Sequence, residues 1–278
     1  MNYIGGKYRI LPQILKYFPD NINTFYDVFG GGGSVSLNVN AYDIYYNDIV
    51  NYISDFFGSV QHEDLESALT KIHNVIIKYN LSKTNEIGFK QLRSDYNKGN
   101  KSWEMFYVLM CFSFNFQYRF NNKQEYNSSF GKHKSCYSSI TENKFIKFFN
   151  RLQSLNISFH CKDFREIDYS KITNKDLVYF DPPYLITNAN YNDGKRGFKG
   201  WSKNDDVDLL NICDSLNSNN IKFAMSNVLE CKGKTNDNLK EWASKYNVHN
   251  IESTYGNCNY HAKDKSKNST VEVLITNY

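Results

Sequence analysis

The sequence predicts an open, doubly wound, mostly parallel α/β sheet with a helical domain inserted into it. Two observations carry this. A strand, a run of glycines and a helical pattern follow one another from Phe25, with a second strand close behind. Sheet-like runs then vanish for roughly a hundred residues and resume at Ile157.

Phe25-Tyr26-Asp27-Val28-Phe29 is aromatic and β-branched, which suits a pleated, half-buried strand. It stops at four glycines, Gly30 to Gly33, and Ser34 with Val35, Leu37 and Val39 reads as the opening of a helix. Asp43 to Asp48 is a second strand ending in an acid, and Val50 to Phe57 a further helical pattern. Leu65, Leu69, Ile72, Val75 and Ile76 recur at helical spacing, and Trp103 to Phe116 is apolar enough for a buried helix. Arg119 to Lys134 is polar, asparagine-rich and basic, an exposed loop ahead of a helix carrying Phe145, Phe148, Phe149 and Leu152.

Strand signals return at Ile157 to Cys161 and Leu177 to Asp181. Ser202 and Asp205 form a capping box before Leu209, Leu210, Cys213 and Leu216, and that helix leads to a strand over Ile221 to Ser226. Leu239, Trp242 and Tyr246 suggest another helix, and Val271 to Ile275 a final strand. The expected division is a core domain over 1–57 and 157–278, with a helical domain over 58–156.

At 278 residues the chain suits one catalytic unit, and 41% hydrophobic with 22% charged residues argues for a soluble globular protein. A formal charge of +4 permits a polyanionic partner without demonstrating one. The start at Met1 has no secretory pattern and no apolar run is long enough to span a bilayer, so a cytoplasmic protein is expected. Six cysteines without a C-x-x-C pair read as reduced thiols. Cys258-Asn259-Tyr260-His261 has one ligand-like step and no second pair, so no metal is expected.

Chemistry concentrates at Asp181-Pro182-Pro183-Tyr184, which spends two of the chain's four prolines at the end of a buried strand. The prolines stiffen the backbone and remove N–H donors, leaving the Asp181 carboxylate and the Pro182 carbonyl as clustered acceptors. Such a pair suits an NH₂ group. An exocyclic amine of a nucleobase is nearly planar because its lone pair is delocalised, and two aligned acceptors would localise that pair for attack on an electrophile. Tyr184 could stack on the base, which would have to be flipped out or single-stranded to enter.

The electrophile would bind at Gly30 to Gly33, where the backbone can approach a ligand closely and a helix N-terminus aims amides at it. The spacing is not a full G-x-G-x-x-G, and Gly5-Gly6-Lys7 is not a phosphate loop. Asp48 ends the second strand, where an acid can hold a ribose hydroxyl pair, or else merely cap a helix.

These residues together resemble the Dam-type DNA adenine-N6 methyltransferases, a likeness that runs nearly end to end. Tyr3-Ile4-Gly5-Gly6-Lys7 is similar to the family's opening W-x-G-G/S-K. Asp27 to Ser34 is similar to its E-P-F-x-G-x-G-S, and D-P-P-Y is intact at Asp181 to Tyr184. Arg119 to Gly131 is similar to R-Y-N-x-x-G-x-F-N-V-P-F-G.

The resemblance implies a methyltransferase core of Rossmann type and S-adenosylmethionine as cofactor. It would be held by Tyr3, Lys7, Asp27, Phe29, Gly30, Gly32, Ser34, Asp48, Asp163, Phe164 and Asp181. Asp181, Pro182, Pro183 and Tyr184 would be catalytic, transferring methyl to adenine N6 of flipped-out duplex DNA. Arg119, Asn121, Tyr126, Asn127 and Ser129 would face DNA, with Lys132 and Lys134 meeting phosphates. Base edges carry the sequence information that phosphates do not.

Val28, Tyr3, Gln124 and Ser129 depart from the pattern, and the last two loosen the implied target to GATC or a related adenine site. A companion restriction endonuclease and a monomeric state are further expectations. Two other readings stand beside this one: an RNA base-amino methyltransferase, and a non-catalytic DNA-binding regulator that retains the fold.

Overall fold

The computed structural model describes residues 6–99, 101–187, 200–252 and 270–278. Tyr3 and the Cys258/His261 pair lie outside the described residues. The chain divides into two compact units.

The larger unit, whose described part comprises 6–49, 156–187, 200–252 and 270–278, is built on one sheet. Its strands are β1 (Ile22–Asp27), β2 (Ala41–Asn47), β3 (Ile157–His160), β4 (Leu177–Phe180), β5 (Lys222–Cys231), β6 (Lys234–Thr235), β7 (Asn247–Ile251) and β8 (Thr270–Thr276). Their order is β3-β2-β1-β4-β5-β8-β7, with β6 paired to β5. The first five run parallel, and β8 and β7 close the far side antiparallel. β4 is buried at every position, as expected of a central parallel strand covered on both faces. The short α1 (Leu11–Leu15) precedes β1.

Two helices of this unit, α7 (Lys203–Ser218) and α8 (Asp237–Ala243), pack on β5. Leu209, Leu210, Cys213, Leu239 and Trp242 meet Val28, Val178, Phe180, Phe223, Met225, Val273 and Ile275 in one apolar core. The capping box at Ser202 and Asp205 is formed as the sequence predicts. No helix follows the glycine run, however. Residues 31–37 form turns, with only single-turn bonds such as Leu37 N–H to Gly33 C=O at 3.0 Å. Gly31 and Gly33 take φ of +49° and +69°, a left-handed conformation that breaks a right-handed helix at its start.

The second unit includes Val50–Leu155. It contains α2 (Asn51–Gln61), α3 (Leu65–Lys78), α4 (Glu86–Asn97), α5 (Trp103–Phe112) and α6 (Ser139–Gln153). Met105 to Phe112 of α5 are all buried, and α2, α3 and α4 pack around that helix, which is why it is apolar on every side. The predicted division puts 50–57 with the core domain, but α2 packs on α5 and α6 and belongs to the helical unit. Its Phe56 stacks parallel to Tyr107 and Phe148 within the helical unit. Four elements were not predicted: the short α1 and β6, and also α4 and β7. α4 is signalled by Phe89, Leu92 and Tyr96 at helical spacing behind the cap Asn85. β7 alternates too weakly to stand out, with only Ile251 buried.

Candidate active site

β1 lies between β2 and β4, and the strand order reverses at that seam, which is where open α/β sheets receive ligands at their carboxyl ends. Strand alternation then sorts the side chains. Tyr26, Val28, Val178 and Phe180 join the core under α7 and α8, so Phe25, Asp27, Tyr179 and Asp181 alternate to the opposite face. Asp27 ends β1 and Asp181 follows β4, and the parallel register sets Asp27 beside Tyr179.

Asp181 accepts from two donors on one oxygen. Lys7 Nζ lies 2.8 Å from Oδ1, and the Tyr184 hydroxyl donates to the same atom at 3.0 Å. Lys7 also stands over the Tyr184 ring, 5.1 Å from its centre. A third partner comes from β8: Glu272 Oε1 is 3.9 Å from Lys7 Nζ and accepts from the Tyr184 hydroxyl at 3.4 Å. Tyr184 is thus held by its hydroxyl against the site's own carboxylates. Pro182 is buried behind it.

Asp27 is 1% exposed. Its Oδ2 accepts from the Ser36 hydroxyl at 2.5 Å, while Oδ1 has no hydrogen-bond partner among the described residues. Burial pushes its carboxyl up to about 7; the Ser36 hydrogen bond opposes the rise and the negative charges of Asp181 and Asp48 add to it. A buried carboxyl oxygen without a donor is costly, which marks a place where a ligand's N–H or cation would be accommodated.

The glycine turn is shaped by its neighbours. Gly30 N–H donates to Asn47 C=O at 2.7 Å, and Gly31 N–H donates to Asp48 Oδ2 at 2.8 Å. The Tyr46 hydroxyl donates to Gly31 C=O at 2.6 Å, and a Cβ on Gly30 would stand 2.2 Å from the Tyr46 ring. Asn47 ties three segments together, donating to Val28 C=O and Lys162 C=O at 3.0 Å and accepting from Lys162 N–H at 3.0 Å. The turn is therefore held by side chains of β2. The expected helix N-terminus plays no part, because no helix begins there.

Phe29, Phe164 and Trp201 form an aromatic cluster with ring centres 5.5 to 5.7 Å apart. Asp163 is engaged locally: Arg165 donates to its carboxylate from Nη1 at 3.1 Å, and Arg165 also bridges to Asp205 and Asp208. Gly32 and Ser34 lie in the same turn region, part-buried. The structure thus brings together Lys7, Asp27, Asp181 and Tyr184, and clusters Phe29 with Phe164. Five contributors were not anticipated: Ser36, Tyr46, Asn47, Trp201 and Glu272. Glu272 was signalled by a lone acid inside the apolar run Val271 to Ile275.

In the helical unit, the loop is a short antiparallel excursion closed by a bridge between Phe120 and Tyr126. Asn121 Oδ1 accepts from Lys123 N–H at 2.9 Å and Glu125 N–H at 3.0 Å, so that side chain builds the turn. Gln124 sits at φ +62°, which explains why the aligned position in the family pattern is glycine. Tyr126 corrects an expectation. It is 1% exposed, bonded to Ser113 Oγ at 2.8 Å and to Asn97 at 2.7 Å through its N–H, so it anchors the loop from inside. Burial pushes its hydroxyl's pKa upward, the reverse of what a surface contact would show. Arg119, Asn127, Ser129, Lys132 and Lys134 are exposed.

An intact D-P-P-Y beside a glycine turn at the switch point of a parallel sheet defines a nucleotide-binding type of α/β protein. A family model described as "D12 class N6 adenine-specific DNA methyltransferase" matches residues 3–257, and the chain belongs to that family. The chain is 44% identical over its full length to Type II methyltransferase M.FokI of Planomicrobium okeanokoites, and 44% identical to Modification methylase StsI of Streptococcus sanguinis. It spans 42% of the length of each. DNA adenine methylase of Salmonella typhi is 25% identical over 82% of this chain and 79% of that protein. Among the described residues no helix is long and apolar enough to cross a membrane.

Proposed function

We propose that this chain transfers a methyl group from S-adenosylmethionine to the N6 amino group of adenine in duplex DNA, at a specific site. The observation that carries the reading is the Asp181 carboxylate, fixed through one oxygen by Lys7 and Tyr184 directly before two prolines. Its other oxygen and the Pro182 carbonyl are the acceptors for the two amine hydrogens. Holding both hydrogens localises the nitrogen lone pair and stabilises positive charge on nitrogen as the bond to carbon forms. The base must leave the helix to reach these acceptors.

The residues fit the cofactor. The unpartnered Oδ1 of buried Asp27 suits a ligand ammonium, Asp48 suits ribose hydroxyls in exchange for the Gly31 amide, and Phe29, Phe164 and Trp201 offer flat apolar faces to a purine. When bound, the cofactor supplies an electrophilic methyl group on a sulfonium. The protein's part is alignment of the amine nitrogen with that methyl group. The helical unit, with exposed Arg119, Asn127 and Ser129, would read bases, while Lys132 and Lys134 contact phosphates. Asn121 would contribute by shaping the loop.

Labelled S-adenosylmethionine offered with duplex DNA, single-stranded DNA and RNA tests the reading. Label in N6-methyladenine of duplex DNA is expected, and it should be lost in Asp181→Ala while duplex binding persists. Label in RNA alone would favour the RNA reading. Duplex binding without label would favour a non-catalytic regulator.

A further inference from the structure

Glu272 is a buried acid in an apolar strand. Its side chain is 1% exposed, and on β8 it is flanked by Val228 of β5 and Ile251 of β7. An acid so placed is expensive unless its charge is met by a partner. Val271, Val273 and Ile275 face the core under α7 and α8, so alternation turns Glu272 to the opposite face, the one that carries Asp27 and Asp181. Its contacts across that face go to Lys7 at 3.9 Å and to the Tyr184 hydroxyl at 3.4 Å. Both are partners of Asp181. Glu272 therefore belongs electrically to the catalytic cluster, although it lies far along the chain from every motif.

We propose that Glu272 is a positioning residue for methyl transfer, sharing the Lys7 ammonium and the Tyr184 hydroxyl with Asp181 so that Asp181 keeps its strength as an acceptor for the substrate amine. The inference deepens the functional reading above and rests on it. An ammonium 2.8 Å from a carboxylate withdraws charge from it and weakens it toward any further donor. A second carboxylate on the same ammonium divides that pull. Two carboxylates, Asp181 and Glu272, then face the one Lys7 ammonium, which puts more negative charge where the amine nitrogen becomes positive than Asp181 and Lys7 would alone. Replacing Glu272 by a neutral residue of the same shape removes one of the two carboxylates on that ammonium, and the field that favours the transition state is weakened. Because Lys7 and Glu272 are buried, their interaction is felt strongly.

The test uses the full chain and three variants: Glu272→Gln, Glu272→Asp and Glu272→Gln combined with Lys7→Met. With duplex DNA, Glu272→Gln should lower kcat by roughly 10- to 100-fold with KM for DNA changed less than about 3-fold. Glu272→Asp keeps the charge at poorer fit and should retain more activity than Gln. A purely structural role predicts the opposite order, since Gln fills the space and Asp does not, and that order would overturn the proposal. With Lys7→Met already present, adding Glu272→Gln should cost less than about 2-fold further, because the ammonium that the two carboxylates share has been removed. Fully additive losses would also overturn it.

A binding measurement keeps the proposal open to refutation even where a variant turns over too slowly to assay. By calorimetry, Glu272→Gln should weaken cationic S-adenosylmethionine more than the neutral thioether S-adenosylhomocysteine, narrowing the ratio of their affinities. An unchanged ratio counts against the proposal alone. A wild-type chain that binds neither compound overturns the functional reading, and the role of Glu272 with it.

Discussion

The Tyr46 ring occupies the space that a Cβ on Gly30 would need, with Cε2 only 2.2 Å from that position. Tyr46 is fully buried and its hydroxyl is tied to Gly31 C=O, so the ring has no easy retreat. Gly30→Ala should therefore destabilise the chain by roughly 1–3 kcal/mol through overpacking and pull the glycine turn out of shape. Thermal unfolding reads the first effect and methyl-donor titration the second. An alanine variant with wild-type unfolding temperature and affinity would contradict this view of the turn.

Asp27 makes stability depend on pH in a direction opposite to that of most carboxylates. Its carboxyl is at about 7 in the folded chain against 3.8 as the ordinary value, so between those limits the native state holds a proton that the unfolded state has lost. The stabilisation is full below about 4 and is lost as pH rises through about 7. The total is on the order of 4 kcal/mol. Urea unfolding of the wild type and Asp27→Asn at pH 4.5 and 7.5 checks it. The wild type should lose stability relative to the variant as pH rises, and a parallel response of the two would refute the assignment.

Tyr126 and Arg119 sit on one loop with different expected effects. Tyr126→Phe removes a hydroxyl from buried Ser113 and should cost roughly 1 kcal/mol of stability with no change in the preferred DNA sequence. Arg119→Ala should leave stability alone and relax discrimination at one base pair, worth about 1–3 kcal/mol. Chemical denaturation and methylation of a randomised duplex library separate the two outcomes.

Gln124 holds a left-handed backbone, and its side chain accepts from the Tyr52 hydroxyl at 2.6 Å. Gln124→Gly relieves about 1–2 kcal/mol of backbone strain and gives up about 1 kcal/mol of hydrogen bond, for a small net gain or none. Gln124→Ala keeps the strain and loses the bond, so it should be the less stable variant by unfolding midpoint.

Local chemistry was enough to read much of this chain. Ser202 and Asp205 cap α7, the buried run at β4 ends in D-P-P-Y, and helical spacing marks α3 and α6, because each depends on residues within a turn or two of one another. A doubly wound, mostly parallel sheet was also implied by the alternation of patterns, whereas the order of its strands and the reversal between β1 and β4 came only with the tertiary structure. Other features depend on partners far apart in the chain. Val35 to Val39 has helical spacing, yet Tyr46 and Asn47 of β2 hold the preceding glycines in a turn. Tyr126 looks like a polar loop residue, but Ser113 and Asn97 draw it inside. Glu272 looks like one acid among many until the sheet carries it to Lys7 and Tyr184. Pattern reports which residues can fold locally; burial and charge are sums over neighbours that only the closed chain assembles, and at this site those sums hold the carboxyl of Asp27 near neutrality and bind Asp181 to Lys7.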